Sequence, residues 1–424
     1  MSMLKTRQTC RICGGPLAEI LDLGKHHLVG YVGAEGHEPI KRKVPLVLCR
    51  CDTVNNENGC GLVQLRHTTP GKLMYPRYFY RSGINRTMTE HLHGIVEGIH
   101  EFFEREESPL EKNDMIIDVG CNDGTSLKYW KSKSYENLFG FDPAKNMLEF
   151  SAESGANITT DYFNLENMGR VRAFGAKVIT SIAMFYDLED PNEFVRDIGL
   201  ALDSKGIWVF EQSYLPSMLS QNAYDTICHE HIEYYSLATI QHLLRKNGME
   251  VVDVHLNDIN GGSFQVYAAK RKAFKIQPEA EKRIQSLLER EFELALDSEE
   301  PFDAFKERVE SNNKQLVDFL KQAKAEGKTV YAYGASTKGA ITLQVCGITN
   351  ELIKGCADRN PMKWGTEIMG TGIPIVSEDE ARADKPDYFL ALPWHFMEEF
   401  KEREQSFRDH GGKWVVPMPE FKVF

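Results

Sequence analysis

Met115-Ile-Ile-Asp-Val-Gly-Cys-Asn-Asp-Gly-Thr-Ser126 is the stretch that decides the fold. Its apolar start, Met115 to Ile117, reads as a buried parallel strand. The run breaks at Asp118, Gly120, Asn122, Asp123 and Gly124, and a helical segment begins near Thr125. Strand, glycine turn and helix in that order form half of a nucleotide-binding unit. The dinucleotide spacing would need a glycine at Asn122, and no Gly-Lys-Ser/Thr follows for a P-loop. An acidic turn suits an uncharged or cationic ligand better than a pyrophosphate. S-adenosylmethionine (SAM), with its sulfonium and ammonium groups, is such a ligand. Asp142 closes the next apolar run in Phe139-Gly-Phe-Asp-Pro143, where a carboxylate can take both ribose hydroxyls. The plainer alternative is an ordinary βα turn of a Rossmann-like sheet.

Outward from this turn, apolar runs at 115–119, 138–141, 177–182, 206–211, 250–254 and 264–269 alternate with amphipathic stretches. That pattern predicts a mostly parallel sheet covered on both faces. The loop after the 177–182 run, Met184-Phe-Tyr-Asp-Leu-Glu-Asp190, belongs over the ligand crevice. Further on, Tyr224-Asp-Thr-Ile-Cys-His-Glu-His-Ile-Glu-Tyr-Tyr-Ser236 follows Gly206–Tyr214 at the carboxyl edge of the sheet. A zincin helix would need a histidine at Glu233, so His229-Glu230-His231 reads as proton-transfer chemistry rather than a catalytic metal. Before the turn, the aromatic and arginine-rich Tyr75–Ile84 leads into a predicted helix over 85–107. Its His91, His93 and His100 are expected at solvated positions. Residues 278–327 are charged and helical in period, and Thr329-Val-Tyr-Ala-Tyr-Gly-Ala-Ser-Thr-Lys-Gly339 then starts a second α/β unit. Its Ser336, Thr337 and Lys338 stand at a helix N-terminus able to hold a phosphate, the alternative being a merely sharp turn.

Fifty basic against 62 acidic residues give a net charge of −12, which argues against a nucleic-acid partner. No apolar run approaches membrane-spanning length and no signal peptide is evident, so a cytoplasmic protein is expected. There cysteines serve as thiols or metal ligands. Five of the nine cysteines lie within residues 1–67. Cys10-Arg-Ile-Cys13 is a zinc knuckle, and Cys51 and Cys60 are the preferred second pair, with Cys49 as the substitute for Cys51. Four thiolates leave no open coordination position, so this zinc would be structural.

Several of these stretches recur together: the knuckle, Pro45-Leu46 leading to Cys60-Gly-Leu-Val-Gln-Leu65, Tyr75–Ser82, Asp118–Gly124 and Asp225–Ser236. Asn260-Gly-Gly-Ser263, Tyr333–Gly339, Asp358–Gly365 and Gly370-Thr-Gly-Ile-Pro-Ile375 complete the set. In combination they resemble the SAM-dependent sugar C-methyltransferases of the tetronitrose type, which act on nucleotide-linked 4-keto-6-deoxyhexoses. Cys228 departs from the tyrosine often found there, and the second cysteine pair carries a long insertion. The resemblance implies an α/β protein with a zinc-binding domain (1–67), a Rossmann-like SAM-methyltransferase domain (68–277) and a Rossmann-like nucleotide-sugar-binding domain (278–424). Three self-contained domains permit a monomer.

The implied reaction is removal of the C3 proton of a nucleotide-diphosphate 4-ketosugar, followed by methyl transfer from SAM. The resemblance places the base at His231, with Glu230 orienting it or the substrate and Tyr80 near the sugar, and it adds His229 to this catalytic set. It places SAM against Asp118, Gly120, Asn122, Asp123 and Asp142, with Asp161, Phe163 and Ser181 beside its adenine and methionine parts. Tyr78, Ser82, Glu211 and Tyr214 would face the sugar, and Lys338 and Arg359 the diphosphate. The competing functions are a SAM-dependent O- or N-methyltransferase of another small molecule and a non-catalytic zinc-knuckle binding protein.

Overall fold

Ile116–Val119 lies near the middle of a seven-stranded sheet in a computed structural model that describes residues 4–28, 31–32, 42–75, 78, 80–169 and 175–424. In spatial order the strands are Met249–Asn257, Ser263–Lys270, Leu202–Ser213, Ala176–Ile182, Ile116–Val119, Leu138–Phe141 and Asn157–Thr159. Ser263–Lys270 pairs antiparallel with both neighbours, and the remaining pairs are parallel. Strand order reverses between Ile116–Val119 and Ala176–Ile182, which opens a crevice at their carboxyl ends. Asp118 stands at that edge, opposite Thr180 on one side and Gly140 on the other.

Side-chain alternation along the strand feeds two separate cores. Ile116 packs with Met88, Ile95, Phe103 and Trp130 from the helices Arg86–Arg105 and Thr125–Ser132. Ile117 packs with Phe194, Ile198, Leu243, Ile284 and Leu287 from Pro191–Ala201, Leu237–Lys246 and Pro278–Glu293 on the other face. The helix Arg86–Arg105 forms because Met88, Leu92, Ile95, Val96, Ile99, Phe102 and Phe103 recur at helical spacing, and Asn85 caps its first turn. Its histidines are not simply solvated, as expected from sequence. His91 Nε2 lies 2.6 Å from Glu211, His100 Nε2 lies 3.0 Å from the Tyr135 hydroxyl, and His93 stacks on Tyr129. Each partner comes from a distant segment, which helical periodicity does not register.

The N-terminal strands Leu17–His27, Lys43–Cys51 and Val63–Leu65 form an antiparallel sheet whose fourth strand is Glu233–Tyr234, from the loop that carries His231. The C-terminal unit is a second sheet with a parallel core of Lys413–Val416, Tyr388–Ala391, Val330–Tyr333, Gly355–Ala357 and Ile373–Val376. Tyr31–Val32 of the N-terminal segment adds an edge to it through Glu367–Ile368. Two-residue strands carry no readable periodicity, so these cross-connections are invisible in sequence. No described helix is long and apolar enough to cross a membrane.

Candidate active site

A cavity of about 520 Å³ opens at the reversal point and extends to the C-terminal sheet. One wall is the deciding turn. Gly120 has φ +75°, and a Cβ there would come within 2.9 Å of the Met184 side chain, so the turn needs glycine at this position. Asp118 accepts a 2.6 Å bond from the Thr180 hydroxyl, and burial raises its carboxyl to about 7. Asp142 accepts the backbone N–H of Asn122 and of Ala144, each at 2.8 Å, which aims its carboxylate at the cavity mouth. Asp161 and Phe163 line the same end. A carboxylate held by two main-chain donors beside a glycine turn fits a ribose diol and a cationic sulfonium.

Asn122 and Asp123 act differently. The Asn122 side chain accepts from Ser82 N and donates to the Tyr80 carbonyl, and Asp123 accepts from Gly83 N and from the Thr125 hydroxyl. They latch the Tyr80–Gly83 segment over the turn. Tyr80 and Ser82 line the cavity through that segment, and Tyr78, whose backbone is held by Asn146, lines it just before. Arg77 and Phe79, which belong to the aromatic stretch quoted above, lie outside the described residues.

The second wall is the 228–231 loop. His231 Nδ1 lies 3.0 Å from the Thr226 carbonyl, which only accepts, so Nδ1 carries the proton and Nε2 keeps its lone pair. Burial and the Lys338 ammonium lower the imidazole to about 3. Glu230 receives a 3.4 Å contact from the Tyr78 hydroxyl, and burial raises it to about 7. Tyr186 meets the His231 ring edge-on at 4.4 Å, and its carbonyl accepts Ile232 N. Cys228, Glu230 and His231 also place one donor atom each within 4.8 Å of one another. The charge of Lys338 faces both His231 and Cys228, which works against a cation among them.

The third wall comes from the C-terminal unit. Ser336 caps the helix Thr337–Val345, and Lys338 donates to the Asn260 carbonyl at 2.8 Å. Arg359, Lys363 and Arg403 line the same end, with Arg359 paired to Glu399. The Met184–Asp190 loop lies at the cavity as expected from sequence, but sequence reasoning singled out neither its Tyr186 and Asp187 nor Tyr75 and Lys363, and it missed His395 and Arg403 altogether. Asp187 falls in the loop after a sheet strand, and that position was the available signal.

Besides Asp123, whose carboxylate is spent on Gly83 and Thr125, three side chains expected at the ligands do not line the cavity. His229 is buried with Nε2 3.0 Å from the Val44 carbonyl, and burial lowers it to about 4. Ser181 accepts from the Trp208 indole inside the sheet, because strand alternation turns it into the core. Tyr214 is buried and donates to Glu291 on the helix Pro278–Glu293. Glu211 does reach the cavity, where it is held by His91 and Asn257.

Away from the cavity, Cys10, Cys13, Cys51 and Cys60 bring their Sγ atoms within 4.8 Å of one another, with Cys10–Cys60 at 3.4 Å and Cys13–Cys51 at 3.3 Å. A tetrahedral zinc with bonds of about 2.3 Å spaces its sulfurs by about 3.8 Å, so the cluster fits with small outward shifts. Ile12 N and Gly15 N approach the Cys10 and Cys13 sulfurs at 3.4 Å, and a Cβ at Gly15 would stand 3.3 Å from Cys13 Sγ. Cys51 rather than Cys49 completes the set.

Asp142→Ala is expected to weaken SAM binding by about 10–100-fold, roughly 1.4–2.8 kcal/mol, as a charged acceptor is lost. Titration calorimetry of the zinc-loaded protein reads this directly. An unchanged affinity would remove Asp142 from the cofactor site.

Three family models match in chain order: "Putative zinc binding domain" over 10–75, "Methyltransferase domain" over 87–254 and "C-methyltransferase C-terminal domain" over 258–419. The C-methyltransferase NovU of Streptomyces niveus is 29% identical over 420 residues, covering 98% of this chain and 96% of its own. Among solved structures, the plantazolicin methyltransferase BpumL in complex with SAH is 14% identical. It covers 43% of this chain and 84% of its own, with a TM-score of 0.35. Magnesium protoporphyrin IX methyltransferase from Synechocystis with bound SAM is 10% identical and covers 43% and 81%, with a TM-score of 0.32.

Proposed function

We propose that this chain, matched in order by models of a putative zinc binding domain, a methyltransferase domain and a C-methyltransferase C-terminal domain, is a C-methyltransferase that methylates C3 of a nucleotide-diphosphate 4-keto-6-deoxy sugar. The observation that carries this reading is one cavity lined at once by the Asp118–Asn122 turn, by Glu230 and His231, and by Lys338 and Arg359. A methyl donor, a proton-transfer pair and a set of cations on a single cavity suit an anionic carbon acid.

When bound, SAM supplies an electrophilic methyl group, and the zinc staples the N-terminal unit. Asp118, Gly120 and Asp142 would hold SAM, with Asp161 and Phe163 at its far end. Lys338, Arg359 and the N-terminus of Thr337–Val345 would hold the diphosphate. His231 Nε2 would take the C3 proton, since the Thr226 carbonyl fixes the tautomer that exposes it. Glu230, as a carboxylate, would favour the imidazolium that results. A diphosphate paired with Lys338 offsets the charge that opposes protonation of His231, so the base strengthens as the acceptor binds.

Incubating the enzyme with thymidine- and guanosine-diphosphate 4-ketosugars in deuterated water tests the reading. Deuterium should enter at C3, and SAM should convert the same sugar to a C3-methylated product. Methyl transfer to oxygen or nitrogen without C3 exchange would refute the carbon-acid chemistry.

A further inference from the structure

The loop after the strand Ala176–Ile182 carries a carboxyl group that the mechanism above does not use. Asp187 lines the cavity, and its Oδ1 is buried without a hydrogen-bond partner. An unsatisfied buried carboxyl oxygen costs stability unless a bound group completes it. Its neighbour Tyr186 packs on His231, and Tyr186 O accepts from Ile232 N, so the Asp187 loop is fastened to the catalytic loop. The Tyr75 hydroxyl faces Asp187 and also approaches the Glu230 carbonyl at 3.4 Å.

Two carboxyls, Asp187 and Glu230, therefore share one buried wall. Carboxyls in such a setting do not both ionise, and the less solvated one keeps its proton. Burial, with Glu230 and Glu233 nearby, holds the Asp187 carboxyl well above the usual carboxylate range. Tyr78, Tyr186, Tyr234 and Cys228 are the other titratable groups that feel its charge, and none is a cation.

We propose that Asp187 is a further catalytic residue, a neutral carboxylic acid that donates a hydrogen bond to the acceptor's carbonyl oxygen as the enolate forms. This rests on the carbon-acid reading given above. The C3–H bond breaks with its proton going to His231 Nε2. Its electron pair forms the C3–C4 double bond, and the carbonyl π pair moves to the oxygen that Asp187 faces. In the second step C3 bonds to the methyl group as the sulfur–carbon bond breaks, with that pair retained on sulfur. The carbonyl re-forms, and Asp187 keeps its proton throughout. A donor aimed at developing charge in a water-poor site stabilises the transition state more than the ground state.

The test compares wild type, Asp187→Ala and Asp187→Asn as full-length, zinc-loaded protein. The readout is C3 deuterium exchange of a thymidine-diphosphate 4-ketosugar, with SAM affinity as the check on folding. Asp187→Ala should exchange about 10²–10³-fold more slowly than wild type. Asp187→Asn should recover at least about tenfold of that loss, because its amide also donates. Wild type should lose activity at alkaline pH as Asp187 ionises, and Asp187→Asn should lack that limb. Near-normal exchange in Asp187→Ala, or an alkaline limb shared by wild type and Asp187→Asn, overturns the proposal and leaves the carbon-acid reading intact. Should Asp187→Ala fail to bind SAM, the Asp187→Asn pH profile alone decides. Absence of exchange in wild type refutes the carbon-acid reading itself.

Discussion

Replacing His231 with alanine should lower kcat for methyl transfer by about 10²–10⁴-fold, the range for loss of a positioned general base. SAM affinity should stay close to wild type, because the Asp118–Asn122 turn and Asp142 do not contact the imidazole. The pH profile gives a second handle on the same loop. His231 is held near 3 by burial and by Lys338, so it is neutral across the working range and contributes no limb of its own there. Glu230 is raised by burial to about 7. Its carboxylate, the form that favours an imidazolium, appears as pH rises through that value, so kcat/KM should climb with pH near neutrality. Glu230→Gln should abolish that climb. An unchanged acid limb in Glu230→Gln, or full turnover in His231→Ala, would move the base elsewhere in the cavity.

Cys10→Ser should release zinc and unfold the N-terminal unit. Structural zinc binds small thiolate sites with about 10–16 kcal/mol that is inseparable from folding, and losing one of four thiolates forfeits a large share of it. The core of the central sheet includes Cys10, Ile12, Cys51 and Leu62, so the damage should spread beyond the knuckle. The expected signature is metal content falling from about one zinc per chain toward zero, with a lower and broader thermal transition. Cys49→Ser should keep its zinc, since Cys49 stands outside the four-sulfur cluster. Zinc lost from Cys49→Ser and kept in Cys10→Ser would reverse the ligand assignment.

The strand, turn and helix around Asp118 were legible because a four-residue strand buried on both faces leaves an apolar run that ends abruptly in glycine and acid. The choice between Cys49 and Cys51 was not. Both lie on the strand Lys43–Cys51, two residues apart and so on the same face, about 7 Å from each other. Register decides it, by pairing Cys51 with Leu17 and Cys49 with Glu19. Tyr214 and Ser181 look equally available in sequence, yet one meets Glu291 and the other Trp208, through contacts that chain order does not encode. Asp187 carries no local signal beyond following a strand. Its significance comes from the loop at 228–232, which is remote in sequence and packs beside it in the folded chain.

The ladder between Glu233–Tyr234 and Val63–Gln64 bears on how this enzyme can be divided. A fragment trimmed to the central sheet would retain Asp118, Asp142, Glu230 and His231 and still lack the rail on which the last two are mounted. Grafting a new acceptor specificity by exchanging the C-terminal unit meets the same obstacle from the other side, because Tyr31–Val32 is woven into that unit's edge. The zinc-stapled segment is thus the part that holds the modules in common, and recombination at the two apparent seams would break both of its ladders.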